Sequence, residues 1–317
     1  MSEQLINIKA TIRRTEIKKS KYKKMWSAEK KIKRLYRGAF YSNAEGSVFH
    51  LPKETVQMIF DSLSLCNALR MASLDSLTPT TYLDDRVTAV LRLTRPPFDI
   101  SRDQICQDDE LDLSFKGLGD DDLVLFASAC AKGALASVAT LYLVNNQIGD
   151  AGMQAFSTAL ADGALAQCQV LWLNGNQIGN AGMQAFSEAL ANGAMAGLTE
   201  LRLGFNQIGD AGMQAFSTAL ANGALAQCTM LSLNNNQIGA KGLEALSGVL
   251  ATGALASCQK LSLKGNQIGD NGLETLSGAL AAGAMASLVN LYVDDGPLGT
   301  EHPALKAACT ARGIELP

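Results

Sequence analysis

Apolar residues recur along this chain with a period of thirty residues from Leu111 onward. In the unit that begins at Leu141, this leucine and the one two residues later alternate with outward positions, which is typical of a short strand with one buried face. Further along, Met153, Phe156 and Leu160 fall on one side at helical spacing. Each unit therefore predicts one strand and then one helix. Thirty residues cannot bury both apolar faces alone, so the units must stack.

Glycines and one acid mark the predicted ends of each helix. Gly149 and Gly152 flank Asp150, whose side chain suits a helix N-cap. Gly163 occupies a position that ends helices. Strands that always precede helices predict parallel strands inside and helices outside. The predicted strands begin near Leu111, Leu141, Leu171, Leu201, Leu231, Leu261 and Leu291.

An asparagine follows the second strand leucine by three residues in five consecutive units. Its amide can bond backbone groups of the neighbouring coil that would otherwise be buried without partners. We expect these side chains to be buried, to bond to backbone and to form a structural ladder of Asn146, Asn176, Asn206, Asn236 and Asn266.

The phrase Leu-Tyr-Leu-Val-Asn-Asn-Gln-Ile-Gly-Asp of residues 141–150 returns almost unchanged in the next four units. It resembles the leucine-rich repeat, specifically its ribonuclease-inhibitor-like class, over about the last two thirds of the chain. The resemblance implies an α/β horseshoe solenoid with a parallel inner sheet and outer helices. We divide the chain into a basic helix-prone arm (1–45), a helical cap and entry segment (46–110) and about seven repeats (111–317).

Side chains just after the strand leucines vary while the framework barely changes. Tyr142, Trp172, Arg202 and Phe205 cluster over three adjacent units on the predicted concave face. Tyr, Trp and Arg dominate the energetics of interfaces, so we predict a protein-binding surface here. The contact is either a partner protein or this chain's own N-terminal segment. The alternative is sequence drift at exposed positions after recent duplication.

Three of the seven cysteines occupy one slot of the repeat that Val138, Leu198 and Leu288 fill elsewhere. Interchange with Leu and Val predicts that Cys168, Cys228 and Cys258 are buried and unbridged. Free thiols favour a reducing compartment, so we expect an intracellular protein, cytoplasmic or nuclear. Neither a secretory signal nor a transmembrane run is evident.

Charge divides the chain sharply. Residues 1–40 hold 13 Lys and Arg against 3 Asp and Glu, whereas residues 111–317 hold 8 against 16. The basic arm predicts an anionic partner, which is a nucleic acid, a membrane surface or an acidic protein. Other interpretations are a solvated tail, a nuclear address, or a segment that folds onto the acidic repeats. The cations of the arm include Lys18, Lys19, Lys23, Lys24, Lys30, Lys31, Lys33 and Arg34.

Residues 49–74 form a second recognisable segment. Leu51, Pro52, Ile59 and Phe60 match the opening of an F-box in residue type and spacing. This resemblance implies docking on the adaptor of a cullin ubiquitin ligase. The Trp that usually ends the motif is missing, and the segment also fits an amphipathic helix that caps the first repeat.

No residue constellation in the sequence suggests catalysis. The two histidines, His50 and His302, are far apart, and no phosphate-binding, nucleophile-elbow or zinc-peptidase motif occurs. We expect no enzyme activity, no cofactor and no metal. The sequence favours a binding or scaffold protein whose basic arm docks in a larger assembly. Its rivals are an F-box substrate receptor and an accessory subunit of a ribonucleoprotein or membrane complex.

Overall fold

A computed structural model of the chain describes residues 93, 96–100, 108–294 and 299–317, all within the unit Asp85–Pro317. Strands and helices alternate along these residues. Their order is β1 (Glu110–Asp112), α1 (Asp120–Ala131), β2 (Thr140–Tyr142), α2 (Asp150–Ala161), β3 (Val170–Trp172), α3 (Asn180–Ala191), β4 (Glu200–Arg202), α4 (Asp210–Ala221), β5 (Met230–Ser232), α5 (Ala240–Leu250), β6 (Lys260–Ser262), α6 (Gly269–Ala281), β7 (Asn290–Tyr292) and α7 (Pro303–Arg312).

The strands form one parallel sheet in which they follow each other in chain order. Equivalent leucines are register partners in neighbouring strands, as Leu171 and Leu201 are. Each strand begins one residue before the predicted leucine. The predicted horseshoe solenoid of inner parallel strands and outer helices is confirmed.

The core lies between the sheet and the helices. Leu141, Met153 and Phe156 have no exposed surface, because the strand and the helix of each unit turn their apolar faces toward each other. Phe156 lies 6.2 Å from Phe126 of the preceding unit, measured between ring centroids. Consecutive helices pack side by side, so each unit completes the core of the next.

Asp150 does not cap its own helix, and this prediction was wrong. The N-cap of α2 is Gly149, and Asp150 is the first helical residue. The Asp150 carboxylate instead accepts hydrogen bonds from the backbone N–H groups of Gly179 and Gly182 in the next unit, at 2.7 and 2.8 Å. The acid therefore satisfies free donors at the start of α3, across the boundary between units.

This contact between units requires glycine. A Cβ atom at Gly182 would lie 2.7 Å from Asp150 Oδ1 and 3.1 Å from Asp150 Cα. The glycine therefore allows the start of α3 to approach α2 closely enough for the Asp150 bonds to form.

In the third unit, Asn180 makes the same bonds to Gly209 and Gly212, whereas the fifth unit has no such side chain. Its equivalent position is Ala240, which has no side-chain oxygen to accept a hydrogen bond. The following helix, α6, begins at Gly269 with Ile268 as N-cap, whereas α2 to α5 have a glycine as N-cap. Gly269 also takes a left-handed φ of 64°. A helix thus starts with a glycine N-cap where a side chain of the preceding unit bonds to its first N–H groups.

The asparagine side chains lie between adjacent coils. Asn206 Oδ1 accepts from the N–H of Ile178 at 3.0 Å, and Asn206 Nδ2 donates to the carbonyls of Leu173 and Leu203 at 3.0 and 3.1 Å. Four of the five are 7–8% exposed. Asn266 is only partly buried, contrary to prediction. In the sequence, the ladder position of the following unit is a glycine, Gly296, in place of the asparagine.

Cys168, Cys228 and Cys258 are free and have no exposed surface, as predicted. Each thiol donates a weak hydrogen bond to a strand carbonyl two residues ahead, at 3.2–3.3 Å. Burial raises the pKa of Cys168 and Cys228 from 9.0 to about 12 and that of Cys258 to about 11. Burial disfavours the thiolate because the charged form loses its hydration.

We expect native protein to resist alkylation at Cys168, Cys228 and Cys258 near pH 8, because the thiolate is the reactive species. Mass spectrometry of labelled peptides would measure this labelling, with the denatured chain as the positive control. Rapid labelling of the native protein at these sites would contradict their role as core residues.

The same pKa shifts predict a loss of stability at alkaline pH. Unfolded thiols ionise near 9 but folded ones only near 11–12, so stability falls as pH rises above about 9. Chemical unfolding measured between pH 8 and pH 11 would test this loss.

The C-terminal residues close the last unit. The backbone of Glu315 pairs with β7, because Leu291 N–H donates to the Glu315 carbonyl at 2.9 Å. His302 caps α7 by accepting from the N–H of Leu305. Arg312 donates to the carbonyls of Leu280 in α6 and of Ala284 and Met285 in the turn that follows this helix. These bonds satisfy backbone groups of β7 and of the residues at and after the end of α6.

Candidate protein-binding surface

The inner face of the sheet presents the side chains on either side of the buried strand leucines. In β2, Leu141 is buried while Thr140 and Tyr142 are partly exposed, and the same alternation holds in β3, β4 and β5. Successive side chains of a strand point to opposite sides, so the leucines face the helices and their neighbours face outward. Parallel pairing in register aligns equivalent outward positions into columns across the sheet.

One such column brings together Tyr142, Trp172 and Arg202. The rings of Tyr142 and Trp172 have centroids 4.5 Å apart and planes tilted by 51°. The Arg202 guanidinium carbon lies 3.9 Å from the centroid of the Trp172 ring. The three side chains form a continuous stack across β2, β3 and β4, which combines aromatic and cation–π contacts.

Glu200 completes this stack, and it was not among the site residues predicted from the sequence. Its Oε1 accepts from Trp172 Nε1 at 2.8 Å and from Arg202 Nε at 2.6 Å. The side chains of Arg202 and Glu200 are 35% and 22% exposed. Alternation along β4 places Glu200 on the same face as Arg202, and that signal could have indicated it. Trp172 is therefore only partly exposed, because contacts within the chain cover part of its ring.

Phe205 lies beyond β4, in the loop that leads to α4. It is 58% exposed and has a left-handed φ of 54°. Phe115 holds the equivalent position three units earlier, with 74% exposure and a φ of 59°. A large side chain in this region of backbone space is uncommon and strained. The inner patch, by which we mean Tyr142, Trp172, Arg202 and Phe205, thus has an ordered stack and a protruding ring.

The surroundings of Tyr142 are negative. Burial first, then the carboxylates of Glu110, Glu200 and Asp112, raise the pKa of its hydroxyl above the ordinary value, and Arg202 opposes them. The hydroxyl therefore stays protonated at neutral pH and can both donate and accept a hydrogen bond.

Two other groups of predicted site residues fall outside the described ranges. These are the F-box-like residues Leu51, Pro52, Ile59 and Phe60 and the cations of the arm. Within the described ranges, no three His, Cys, Asp or Glu side chains group in a way that could hold a metal ion. In the same part of the chain, no helix is both long enough and apolar enough to cross a membrane.

Comparison with known proteins supports the repeat architecture. Residues 135–157, 169–187, 198–217, 229–247 and 259–277 match the family model described as Leucine Rich repeat. No curated protein matches the chain significantly. An internalin from Listeria monocytogenes is 15% identical over 82% of this chain and 96% of its own, with a TM-score of 0.18, which is too low to support a conclusion. The chain thus carries leucine-rich repeats, stacked as a solenoid with a parallel inner sheet.

Proposed function

We propose that this chain is a non-enzymatic binding or scaffold protein that holds a protein partner on the inner face of its sheet. The observation that carries the proposal is the ordered stack of Tyr142, Trp172 and Arg202 on that face, with Phe205 exposed in the loop that follows β4. The repeats resemble the ribonuclease-inhibitor-like class, whose long outer helix fits the 12-residue helices α2 to α4.

Preorganisation favours binding at the inner patch. A free interface side chain loses rotamer entropy when it binds, about 0.5–1.5 kcal/mol for a flexible one. Trp172 and Arg202 are already held by Glu200 and by each other. Phe205 still has most of its surface to bury against a partner, and its burial is favourable because apolar surface leaves water.

We further propose that the basic arm, residues 1–40, binds an anionic partner and docks the protein in a larger assembly. Its 13 cations against 3 anions support this role, because cations that neutralise phosphates or other anions release condensed counterions. Such binding weakens steeply with salt. Apolar burial at the inner patch depends little on salt, so the two activities can be measured separately.

Trp172→Ala in the full chain is expected to raise the Kd of the inner-face partner about 30-fold, equivalent to about 2 kcal/mol. The substitution removes the centre of the stack and releases both Tyr142 and Arg202. Quantitative pull-down from cell extract would identify the partner, and titration with the purified partner would measure the change.

Tyr292→Ala is the matched control, because Tyr292 holds the same strand position in β7, outside the inner patch. It should leave the Kd within about twofold. A third variant, with Gln at Lys18, Lys19, Lys23, Lys24, Lys30, Lys31, Lys33 and Arg34, should abolish only salt-sensitive association. If Trp172→Ala and the Gln variant remove the same binding event, the proposal of two separate surfaces is wrong.

A further inference from the structure

Arg202 shows how this face holds a guanidinium group. The group lies over an aromatic ring, at 3.9 Å from the Trp172 centroid, and donates to a carboxylate, at 2.6 Å from Glu200 Oε1. Planar guanidinium groups stack well on aromatic faces and bond strongly to carboxylates. One end of the aromatic pair is therefore occupied by a cation from the chain itself.

The other end of the pair offers the same two elements. Tyr142 in β2 is the register partner of Asp112 in β1, and Glu110 lies on the same face of β1 as Asp112. Both acids are exposed. Both also act electrostatically on the Tyr142 hydroxyl. A ring and two carboxylates therefore lie together at this end, where the described strands β1 to β3 contribute no Lys or Arg.

Charge along the sheet is asymmetric. No Lys or Arg occurs in residues 133–201 or 108–115, and residues 108–112 contain four acids. The cation next to this end is Lys116, in the loop that follows β1. Arg202 is the single cation of the described strands β1 to β4, and Glu200 pairs with it. Lys260, in β6, is at the opposite end of the sheet. The inner face at β1 to β3 is thus complementary to a cation. The electrostatic field of its acidic side chains orients a basic partner along the sheet.

We propose that the inner face at β1 to β3 binds an arginine side chain from a basic segment of a partner protein. Its guanidinium lies over the Tyr142 ring and donates to the carboxylates of Asp112 and Glu110, so the stack is extended from Arg202–Trp172–Tyr142 by one more cation. This inference rests on the proposed function, and it adds the chemistry of the partner residue at one defined position.

The probe is a capped tetra-arginine peptide, titrated into the full chain while tryptophan fluorescence is measured. The chain carries Trp26→Phe, so that Trp172 is its only tryptophan. Glu110→Gln combined with Asp112→Asn is expected to weaken binding about tenfold or more, since two carboxylate partners are lost. Asn retains the oxygen that accepts from the N–H of Ser114, so the turn after β1 is preserved. Tyr142→Leu, which keeps the charges, is expected to weaken binding at least about threefold.

Glu244→Gln combined with Glu274→Gln is the control, because it removes the same charge from exposed positions on the outer helices α5 and α6. It should change the affinity less than about twofold. A tetra-citrulline peptide, which has the same shape without charge, should not bind. Equal loss in the control variant, binding of the citrulline peptide, or no effect of Tyr142→Leu would each overturn the inference.

The partner pull-down separates this inference from the proposed function. Glu110→Gln with Asp112→Asn should also weaken the partner that Trp172→Ala weakens. If Trp172→Ala reduces capture and the double variant does not, the arginine site is wrong and the inner-face function stands. If neither changes capture of any protein, the proposed function itself fails.

Discussion

Asn206→Leu is expected to lower the free energy of unfolding by roughly 1–3 kcal/mol, the cost of one buried polar group left unsatisfied. The leucine leaves the N–H of Ile178 without its acceptor. The carbonyls of Leu173 and Leu203 lose one donor each but keep the amides of Asn176 and Asn236. These groups lie between coils, where water has little access. The cost therefore arises in the backbone of the preceding unit rather than at the substituted residue alone.

Urea or thermal unfolding of the full chain would measure this loss. Gln207→Leu is the matched control, since it makes the same kind of change at the next residue, whose side chain is exposed. It should alter stability by no more than about 0.5 kcal/mol. An unchanged stability of Asn206→Leu would mean that the ladder bonds do not stabilise the array.

Phe186→Ala is expected to lower the free energy of unfolding by about 3–5 kcal/mol, as truncation of a buried aromatic does when a cavity remains. Phe186 has no exposed surface and lies in α3, which packs against both α2 and α4. In a stacked array each unit is stabilised mainly by its neighbours. The cavity should therefore weaken two interfaces, and unfolding should become less cooperative across the centre of the array.

Phe205→Ala makes the same chemical change at a phenylalanine that is 58% exposed, so it should cost less than about 1 kcal/mol. Calorimetry and denaturant titration of both variants would compare them directly. A loss of similar size in both, or a fully cooperative transition for Phe186→Ala with unchanged midpoint, would contradict this account of the core.

The local elements of this fold could be predicted from the sequence because they depend on local spacing. Leucines two residues apart predicted each strand to within one residue, and Met153, Phe156 and Leu160 predicted the buried face of α2. Because five units have nearly identical sequences, each was expected to adopt the same strand and helix geometry. Parallel order followed, since every strand leads into a helix before the next strand begins.

Contacts between units were decided by the tertiary structure. Local capping rules assigned Asp150 to its own helix, yet stacking brings its carboxylate to the N–H groups of Gly179 and Gly182. The partial exposure of Asn266 likewise depends on what the next coil provides. Neither outcome is visible in a single unit, because each partner lies about thirty residues away along the chain.

In the inner patch, too, the sequence determined which side chains face outward, and the tertiary structure determined how they contact each other. Strand alternation by itself placed Tyr142, Trp172 and Arg202 on the outward face, since side chains of a strand point to opposite sides. The sequence could not show that the sheet register stacks them, or that Glu200 bonds to both Trp172 and Arg202. Side-chain type and direction are thus local properties of this chain, whereas distances between units exist only once the coils have packed.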